Sequence, residues 1–336
     1  MYLDWSKGFS TMYYGYIVDK NSWYDERRFE ITTGTVNISD DDLIQSATLT
    51  TSEHLSDSEK WIRIYIDAKQ DGGSYHGALF TGLISSPSIT IEGVQIGNDI
   101  ECHSVLKPAS DILLPRGWYV AQGSNGPEAV KKLLSVSPAP ITLDSTGPNL
   151  ASTLVAEDGE TNLSMARKIL DAIKWEVFIA GDGRMTLRSS KKYSRNDIPV
   201  VTFDSMDYDC LEPSVRIAYD WFNVPNVFRA IDGTATAIAR NEDDIEFRGR
   251  EIWREESNCT LNDDETLDMY AKRRLIEERN IEYEVSYTRR YEPSVQLNDK
   301  IMLNYPAQNL VGYFRVKSQS ISLGHNGTVS EVVYKV

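Results

Sequence analysis

The chain is poor in the side chains that reactive chemistry uses most. Its 336 residues include 3 cysteines and 4 histidines. Cys102, Cys210 and Cys259 lie far apart, form no Cys-x-x-Cys pair and match no metal-ligand spacing. Neither a disulfide framework nor a structural zinc site is expected, and the odd count fits reduced thiols in a protein made in a cytosol. His54, His76, His103 and His325 fall in no His-Glu-x-x-His motif, and a Gly-x-Ser-x-Gly elbow is missing. The zinc-protease and serine-hydrolase signatures are therefore absent. No apolar run of about 18 residues occurs, so no helical membrane span and no membrane anchor are expected. Met1–Thr11 hold charge and glycine rather than an apolar stretch, so no secretory leader is expected there. Positive charge is also short. There are 35 Lys and Arg against 50 Asp and Glu, a net charge of −15. Arg273–Arg274 and Arg289–Arg290 are isolated pairs beside Glu, not the clustered basic surface that grips nucleic acid.

What the chain has in quantity is carboxylate. Asp40–Asp41–Asp42, Asp243–Asp244 and Asp263–Asp264–Glu265 are candidates for paired acid–base chemistry or for calcium. The Asp-x-Asp-x-Asp-Gly loop with Glu at its twelfth position is not among them, and such runs also suit solvated loops and helix N-termini. Cys102 and His103 are adjacent, but neighbours on a strand point to opposite faces, so they are badly placed to share a proton. Gly181–Asp182–Gly183 and Gly123–Ser124–Asn125–Gly126 are too short for a phosphate cradle and read as turns. No catalytic residue, cofactor or metal site is expected.

The length allows a large core and two or three domains. Residues 1–115 read as an antiparallel β domain. A strand or ordered arm over Met12–Val18 is followed by a strand pair in Tyr24–Ile38 with its turn near Thr33–Gly34. Strands at Ser46–Thr51 and Trp61–Ala68 come next, the latter with Ile62, Ile64 and Ile66 on the buried face. His76–Ser85, Ser88–Glu92 and Val94–Leu106 complete the set. Residues 116–194 read as a small α/β insertion. Pro127 starts one helix and Thr161 caps a second, whose stripe is Leu163, Ala166, Leu170 and Ile173. Trp175–Ala180 and Arg184–Arg188 then form a hairpin about an Asp-Gly turn.

Residues 195–336 read as a second β domain with one helix. Strands are expected at Val200–Phe203, Ser214–Ala218, Val224–Ile231 and Thr234–Ala239, with Asn241–Asp244 as a polar turn or loop. Asn262 and Glu265 predict a capping box, and Leu267, Tyr270, Ala271 and Leu275 predict a buried stripe on a helix ending near Asn280. Period-two alternation from Ile281 to Tyr287 follows. Strands Ile301–Tyr305 and Gly312–Val316 lead to a hairpin of Ser318–Leu323 and Thr328–Tyr334 about His325–Gly327. The fold class is thus α+β, mainly β: two antiparallel β-barrel-like domains with a small α/β insertion between them.

This order resembles the baseplate hub proteins of contractile-tailed phages, a family related to type VI secretion spike hubs. Glu160–Thr161 with Leu163, Ala166, Ile169–Leu170, Trp175–Phe178 and Asp182–Gly183–Arg184 resembles that family's helix-plus-hairpin insertion. Phe222–Asn223–Val224 and Asn226–Val227–Phe228–Arg229–Ala230 resemble the strand opening its second barrel. Leu297–Asn298–Asp299–Lys300–Ile301 stands at its Gly-Asp-x-Val step, with Asn298 where Gly is usual, and Gly312–Ser318 and Ser318–Val333 match its C-terminal rhythm. The likeness covers most of residues 125–336; before 115 it is one of architecture.

The resemblance implies a homotrimer whose two barrels per chain make a pseudo-sixfold ring. Such a ring joins a hexameric tail tube protein to a trimeric tail spike or tail-tip protein, with tape measure and baseplate wedge proteins as further partners. Genome DNA passes through it without specific binding. The implied location is the virion tail baseplate, assembled in the host cytoplasm. Three copies with two similar surfaces each meet a sixfold object without distortion. Trp5, Tyr13, Tyr14, Tyr16, Trp221, Phe222 and Tyr313 are the candidate interface residues, because aromatics bring much contact area at low entropic cost. Two other functions fit parts of the sequence: a tail-associated cell-wall-degrading enzyme using a carboxylate pair, and a carbohydrate- or receptor-binding module using the N-terminal aromatics, Trp23 and Tyr24 among them.

Overall fold

Alternation of apolar and polar residues makes the first hundred residues into strands. The computed structural model describes residues 3–335 apart from 42, 54, 56, 57, 93, 94, 191–196, 207–210, 220, 221, 223, 258, 260, 262–264, 280–282, 325 and 326. The strands are β1 (Ser10–Val18), β2 (Asp25–Glu30), β3 (Thr33–Ser39), β4 (Gln45–Thr51), β5 (Trp61–Gln70), β6 (Gly73–Glu92) and β7 (Gln95–Ser104). In β5 the isoleucine face is the core face: Ile62, Ile64 and Ile66 are fully buried. Each stabilises by about 1.5–3 kcal/mol relative to an exposed position. The strand pair expected in Tyr24–Ile38 is not a pair. The break falls at Ile31–Thr32, β2 joins β1, and β3 joins β4. His76–Ser85 and Ser88–Glu92 are one strand, with a register shift between Ile84 and Ser86.

The middle stretch follows the expected order. It holds α1 (Lys107–Asp111), β8 (Tyr119–Val120), α2 (Gly126–Leu134), β9 (Ile141–Leu143), β10 (Leu154–Val155), α3 (Asn162–Ile173), β11 (Trp175–Ile179) and β12 (Met185–Ser189). Asn125 caps α2. Thr161 and Ser164 cap α3 reciprocally, with Ser164 in the place that Glu or Gln more often takes. Leu163, Ala166, Leu170 and Ile173 are buried together with Val130, Leu133 and Leu134 of α2. The helix stops at Lys174, in the left-handed region at φ 57°.

This unit is latched to the first sheet by its hairpin tip. Trp23 Nε1 and the buried Arg63 guanidinium both donate to Asp182 O, at 3.0 and 3.1 Å. Thr81 Oγ1 donates to Gly181 O at 2.8 Å, and Gln45 Nε2 to Ile179 O at 3.1 Å. A Cβ on Gly181 would stand 1.9 Å from Ala78 O. Gly181 is not at positive φ; the position needs glycine for space alone.

The last stretch holds β13 (Thr202–Asp204), β14 (Leu211–Tyr219), β15 (Val227–Asp232), β16 (Ala235–Arg240), α4 (Glu242–Arg248), β17 (Trp253–Ser257), α5 (Leu267–Arg279), β18 (Tyr283–Arg290), β19 (Lys300–Tyr305), β20 (Leu310–Ser322) and β21 (Thr328–Lys335). Asn241–Asp244 is not a loop. Asn241 accepts from Asp244 N at 3.1 Å and starts α4, whose acidic first turn suits the helix dipole. In α5 the stripe Tyr270, Ala271 and Leu275 packs on Phe228, Ala230, Ala237 and Ala239. The expected cap Asn262 lies outside the described residues. Glu265 pairs with Arg273, and Thr266 Oγ1 accepts from Met269 N. Gly312–Val316 and Ser318–Leu323 are one strand, β20, with a shift between Val316 and Ser318. Asn298 adopts φ 66° and keeps the turn into β19, as asparagine tolerates better than most residues.

The molecule is mainly β, with mostly antiparallel pairing. Strands from both ends of the chain share one 13-stranded sheet in the order β14-β18-β21-β20-β3-β4-β7-β6-β5-β1-β2, with β13 and β19 branching from β20. The expected barrels are not closed among the described residues: the path is open, with β14 and β2 at its ends. A buried network braces it near the β20–β3 seam. Glu331 accepts from Arg289 NH2 at 3.0 Å, from Gln319 Nε2 at 2.6 Å and from the Tyr287 hydroxyl.

Gly181→Ala is expected to cost about 1–3 kcal/mol by overpacking the latch. Glu331→Ala, which strands a buried guanidinium, is expected to cost about 3–5 kcal/mol. Chemical denaturation checks both, and a change within error in either would contradict its assigned role.

Candidate interaction site

The aromatic candidates divide by burial. β1 is paired on both sides, so its rings are used inside the chain. Tyr13 packs in the first sheet's core. Tyr14 belongs to a column running across four strands: Arg28 lies 4.0 Å over Tyr14, Tyr14 stacks on Tyr65 at 5.8 Å, and Tyr65 on His76 at 4.9 Å. Burial, then the Asp67 carboxylate, pushes the Tyr14 hydroxyl up to about 12. Tyr16 meets Tyr14 and Tyr65 edge-on. Trp5 packs against Phe9, Tyr75 and Tyr291. These rings stack on one another, and His76, whose side chain is 60% exposed, ends the column. Of the other candidates, Phe222 is 76% exposed beneath Arg250, and Tyr313 is partly exposed beside Lys300. Trp221 lies outside the described residues. Most large exposed apolar side chains lie beyond residue 196, Tyr219, Phe247 and Trp253 among them. Sequence reading missed these because an exposed aromatic and a core aromatic look alike before the partners of a strand or helix are known.

The chemical candidates do not converge. Cys102 is buried, and desolvation holds its thiol well above its usual range. His103 pairs with Ser46 while Cys102 pairs with Ala47, so the two side chains leave opposite faces of β7. Asp243–Asp244 sits in the first turn of α4, where Asp244 pairs with Arg248 at 3.0 Å. His54, His325, Asp42, Cys210, Asp263 and Asp264 lie outside the described residues. No cluster of three or more His, Cys, Asp or Glu able to hold a metal occurs among the described residues, and none of their helices is long and apolar enough to cross a membrane.

One cleft of about 590 Å³ brings distant residues together. The end of β3 contributes Ile38 and Asp40, and β4 contributes Gln45. From α3 come Arg167 and Asp171, and β11 lines the cleft along its whole length. Pro293, residues 295–298, and Arg315 and Gln319 of β20 line it too. Glu176 and Arg188 are paired at 2.8 Å. Arg167 donates to Asp41 O, and Arg315 Nε to Asn298 O at 3.3 Å. Asp40 and Asp171 line the cleft and keep exposed area. Crowding by protein raises both carboxyls above the usual range, against the pull of Arg167; Asp40 adds to the rise at Asp171. The cleft's described lining carries three carboxylates, Asp40, Asp171 and Glu176, and three guanidiniums, Arg167, Arg188 and Arg315. No histidine or cysteine is among its described lining residues.

No protein-family model matches the sequence, and no curated protein matches it. Solved structures do. A tail protein from Neisseria meningitidis MC58 superposes with a TM-score of 0.70 at 14% identity, over 96% of this chain and 97% of that one. The chain has the fold of phage tail proteins. The 43 kDa tail protein of prophage MuSo2 from Shewanella oneidensis gives 0.68 at 12% identity, over 97% and 98%. The c3393 protein, a type VI secretion system component from Escherichia coli, is described as similar in structure to T4 bacteriophage tail proteins gp27 and gp5. It gives 0.51 at 8% identity, over 92% of this chain and 74% of that one. The resemblance carried by the sequence motifs thus holds at the level of the tail-protein fold.

Because Asp40 and Asp171 are raised, the folded chain holds their protons more tightly than the unfolded chain does. The stability this contributes is complete below the unfolded value near 3.8 and is lost as pH rises through the higher folded values. The Asp40→Asn/Asp171→Asn double variant should therefore melt above the parent at neutral pH. The gap should close as the pH falls below the unfolded value. A gap that is constant with pH, measured by thermal melts, would contradict this.

Proposed function

We propose that this chain is a structural hub of a phage-type tail baseplate, a homotrimer whose pseudo-sixfold ring joins a hexameric tail tube to a trimeric spike or tip. The observation that carries it is the whole-length match to tail proteins: the fold extends across 96–98% of both chains of each pair. Residues 1–115 and 195–336 are the two modules of each subunit and 116–194 the insertion between them. Trp5, Tyr16, Phe222 and Tyr313 are the interface candidates that keep exposed area. An open sheet with strands at both ends suits a head-to-tail ring, since a heterologous contact closes only when the rotation closes. The protein acts without catalysis in the tail baseplate of a virion, assembled in the host cytoplasm. Tape measure and wedge proteins are its further neighbours. The net charge of −15 suits a wall past which DNA moves without sticking.

One observation favours a second reading. The raised carboxyls of Asp40 and Asp171 in a cleft are what a cell-wall-degrading enzyme would use as general acids. A peptidoglycan zymogram separates the two: clearing that disappears in Asp40→Asn would replace the structural reading. For the hub, light scattering of the purified chain, alone and with a tail-tip partner, should give the mass of three chains. A monomer under both conditions at high concentration would count decisively against it.

A further inference from the structure

Hydrogen-bonding groups of both signs are left over around one cavity. Asp40 and Asp171 line the cleft, and Arg167 acts on both carboxyls only through space, without a hydrogen bond to either. Asp40 acts on Asp171 in the same way, so the two carboxyls are near each other. Arg167 and Arg315 are engaged with main-chain carbonyls, Asp41 O and Asn298 O. Neither Asp40 nor Asp171 has an ion pair among the described residues.

Arg188 supplies the opposite sign. Its Nε donates to Glu176 at 2.8 Å, and its guanidinium lies 4.3 Å over the Phe178 ring. Its two terminal nitrogens have no hydrogen-bond partner among the described residues. A planar fork of N–H groups is suited to a carboxylate. Gln45 adds a neutral acceptor. It is 4% exposed, and its Nε2 donates to Ile179 O at 3.1 Å. That bond fixes which way the amide points and leaves Oε1 buried without a partner. A buried acceptor without a donor is costly, so the position calls for a group from outside the chain. Half-buried Ile38, Val177, Phe178 and Leu297 form apolar wall between these groups. With three carboxylates and three guanidiniums, the lining has no net charge with which to select a simple cation or a simple anion. A ligand that carries both signs matches it.

We propose that the cleft binds a compact zwitterion with an apolar body, its ammonium against Asp40 and Asp171, its carboxylate on the terminal nitrogens of Arg188, and a neutral N–H on Gln45 Oε1. Short apolar peptides with both ends free have this chemistry. At about 590 Å³ the cleft has the size of a small-ligand site rather than a packing defect. The inference goes beyond the hub reading and does not depend on it.

The probes are the dipeptide Leu-Leu, its N-acetylated form, its C-amidated form and the form blocked at both ends. Titrations of the isotope-labelled protein, followed by NMR, give the four affinities. Blocking either end should cost at least about tenfold, because each removes a charge-assisted hydrogen bond. The side-chain amide of Gln45 and the guanidinium of Arg188 should shift with the free dipeptide. Arg188→Gln should remove the preference for a free carboxylate and keep that for a free ammonium. Asp40→Asn/Asp171→Asn should do the reverse. If a variant unfolds, the four peptides on the parent chain decide. No binding at millimolar dipeptide, a singly or doubly blocked form that binds as tightly as the free one, or shifts that leave Gln45 and Arg188 unmoved would each overturn the proposal.

Discussion

The architecture depends on one ladder. β3 pairs with β20 through Ser39↔Ser318 to Thr35↔Ser322, and among the described residues it is the single join between the sheet built before residue 105 and the strands after 200. Ser320 Oγ donates to Asn37 Oδ1 at 2.8 Å across 283 residues of sequence. So distant a pairing must offset a large loop-closure entropy. What favours it is the apolar surface it closes: Ile321, Leu323 and Val329 complete a core otherwise made by β1–β7. The buried Arg289–Glu331 network sits beside this seam. Its charges cost desolvation, which is offset by the several hydrogen bonds Glu331 accepts, and such a network penalises any slipped register of β18, β20 and β21.

The cleft is a consequence of that seam and of the hairpin latch. The seam brings residues 293–298 and Arg315 to the end of β3. The latch holds β11 against β4 through main-chain carbonyls that accept from Trp23, Arg63, Thr81 and Gln45. Among the described residues β11 has one strand partner, β12, and all of β11 borders the cleft. The space is thus built from well-packed elements meeting at an angle, which is how ligand sites commonly arise at the junction of two units.

Charge is used twice. Much of the positive charge is spent within the chain: Arg273 and Arg274 pair with Glu265, Glu256, Glu277 and Glu278 along α5, and Arg63 and Arg289 are buried. Each such pair neutralises carboxylate as well, so the net charge of −15 is unchanged by it. Exposed aromatic area lies mainly in the later part of the chain. For the proposed ring this combination favours contacts made by shape and apolar area over contacts made by basic patches.

Local chemistry made much of the fold readable in advance. The Ile face of β5, the Thr161 cap and stripe of α3, the Asp-Gly hairpin and the stripe of α5 each follow from a period or a turn within about fifteen residues. Asn298 at φ 66° was readable for the same reason. The misreadings were local as well. Asn241–Asp244 reads as a turn or loop because acidic residues suit both a turn and a helix N-terminus, and β20 reads as two strands because a bulge interrupts its period. What the residues alone could not decide is partnership. Whether β2 joins β1 or β3, whether two sheets close separately or share strands, and whether Tyr14 faces a neighbour or its own chain all depend on which distant segment covers a face. Asp40, Asp171 and Gln45 carry no mark of a common cleft, since they meet only after β3 and β20 pair and the hairpin docks. Sequence determined the elements, because hydrogen bonding and side-chain period act between near neighbours. Tertiary structure decided the sheet order and the site, because burial rewards contacts whatever their separation along the chain.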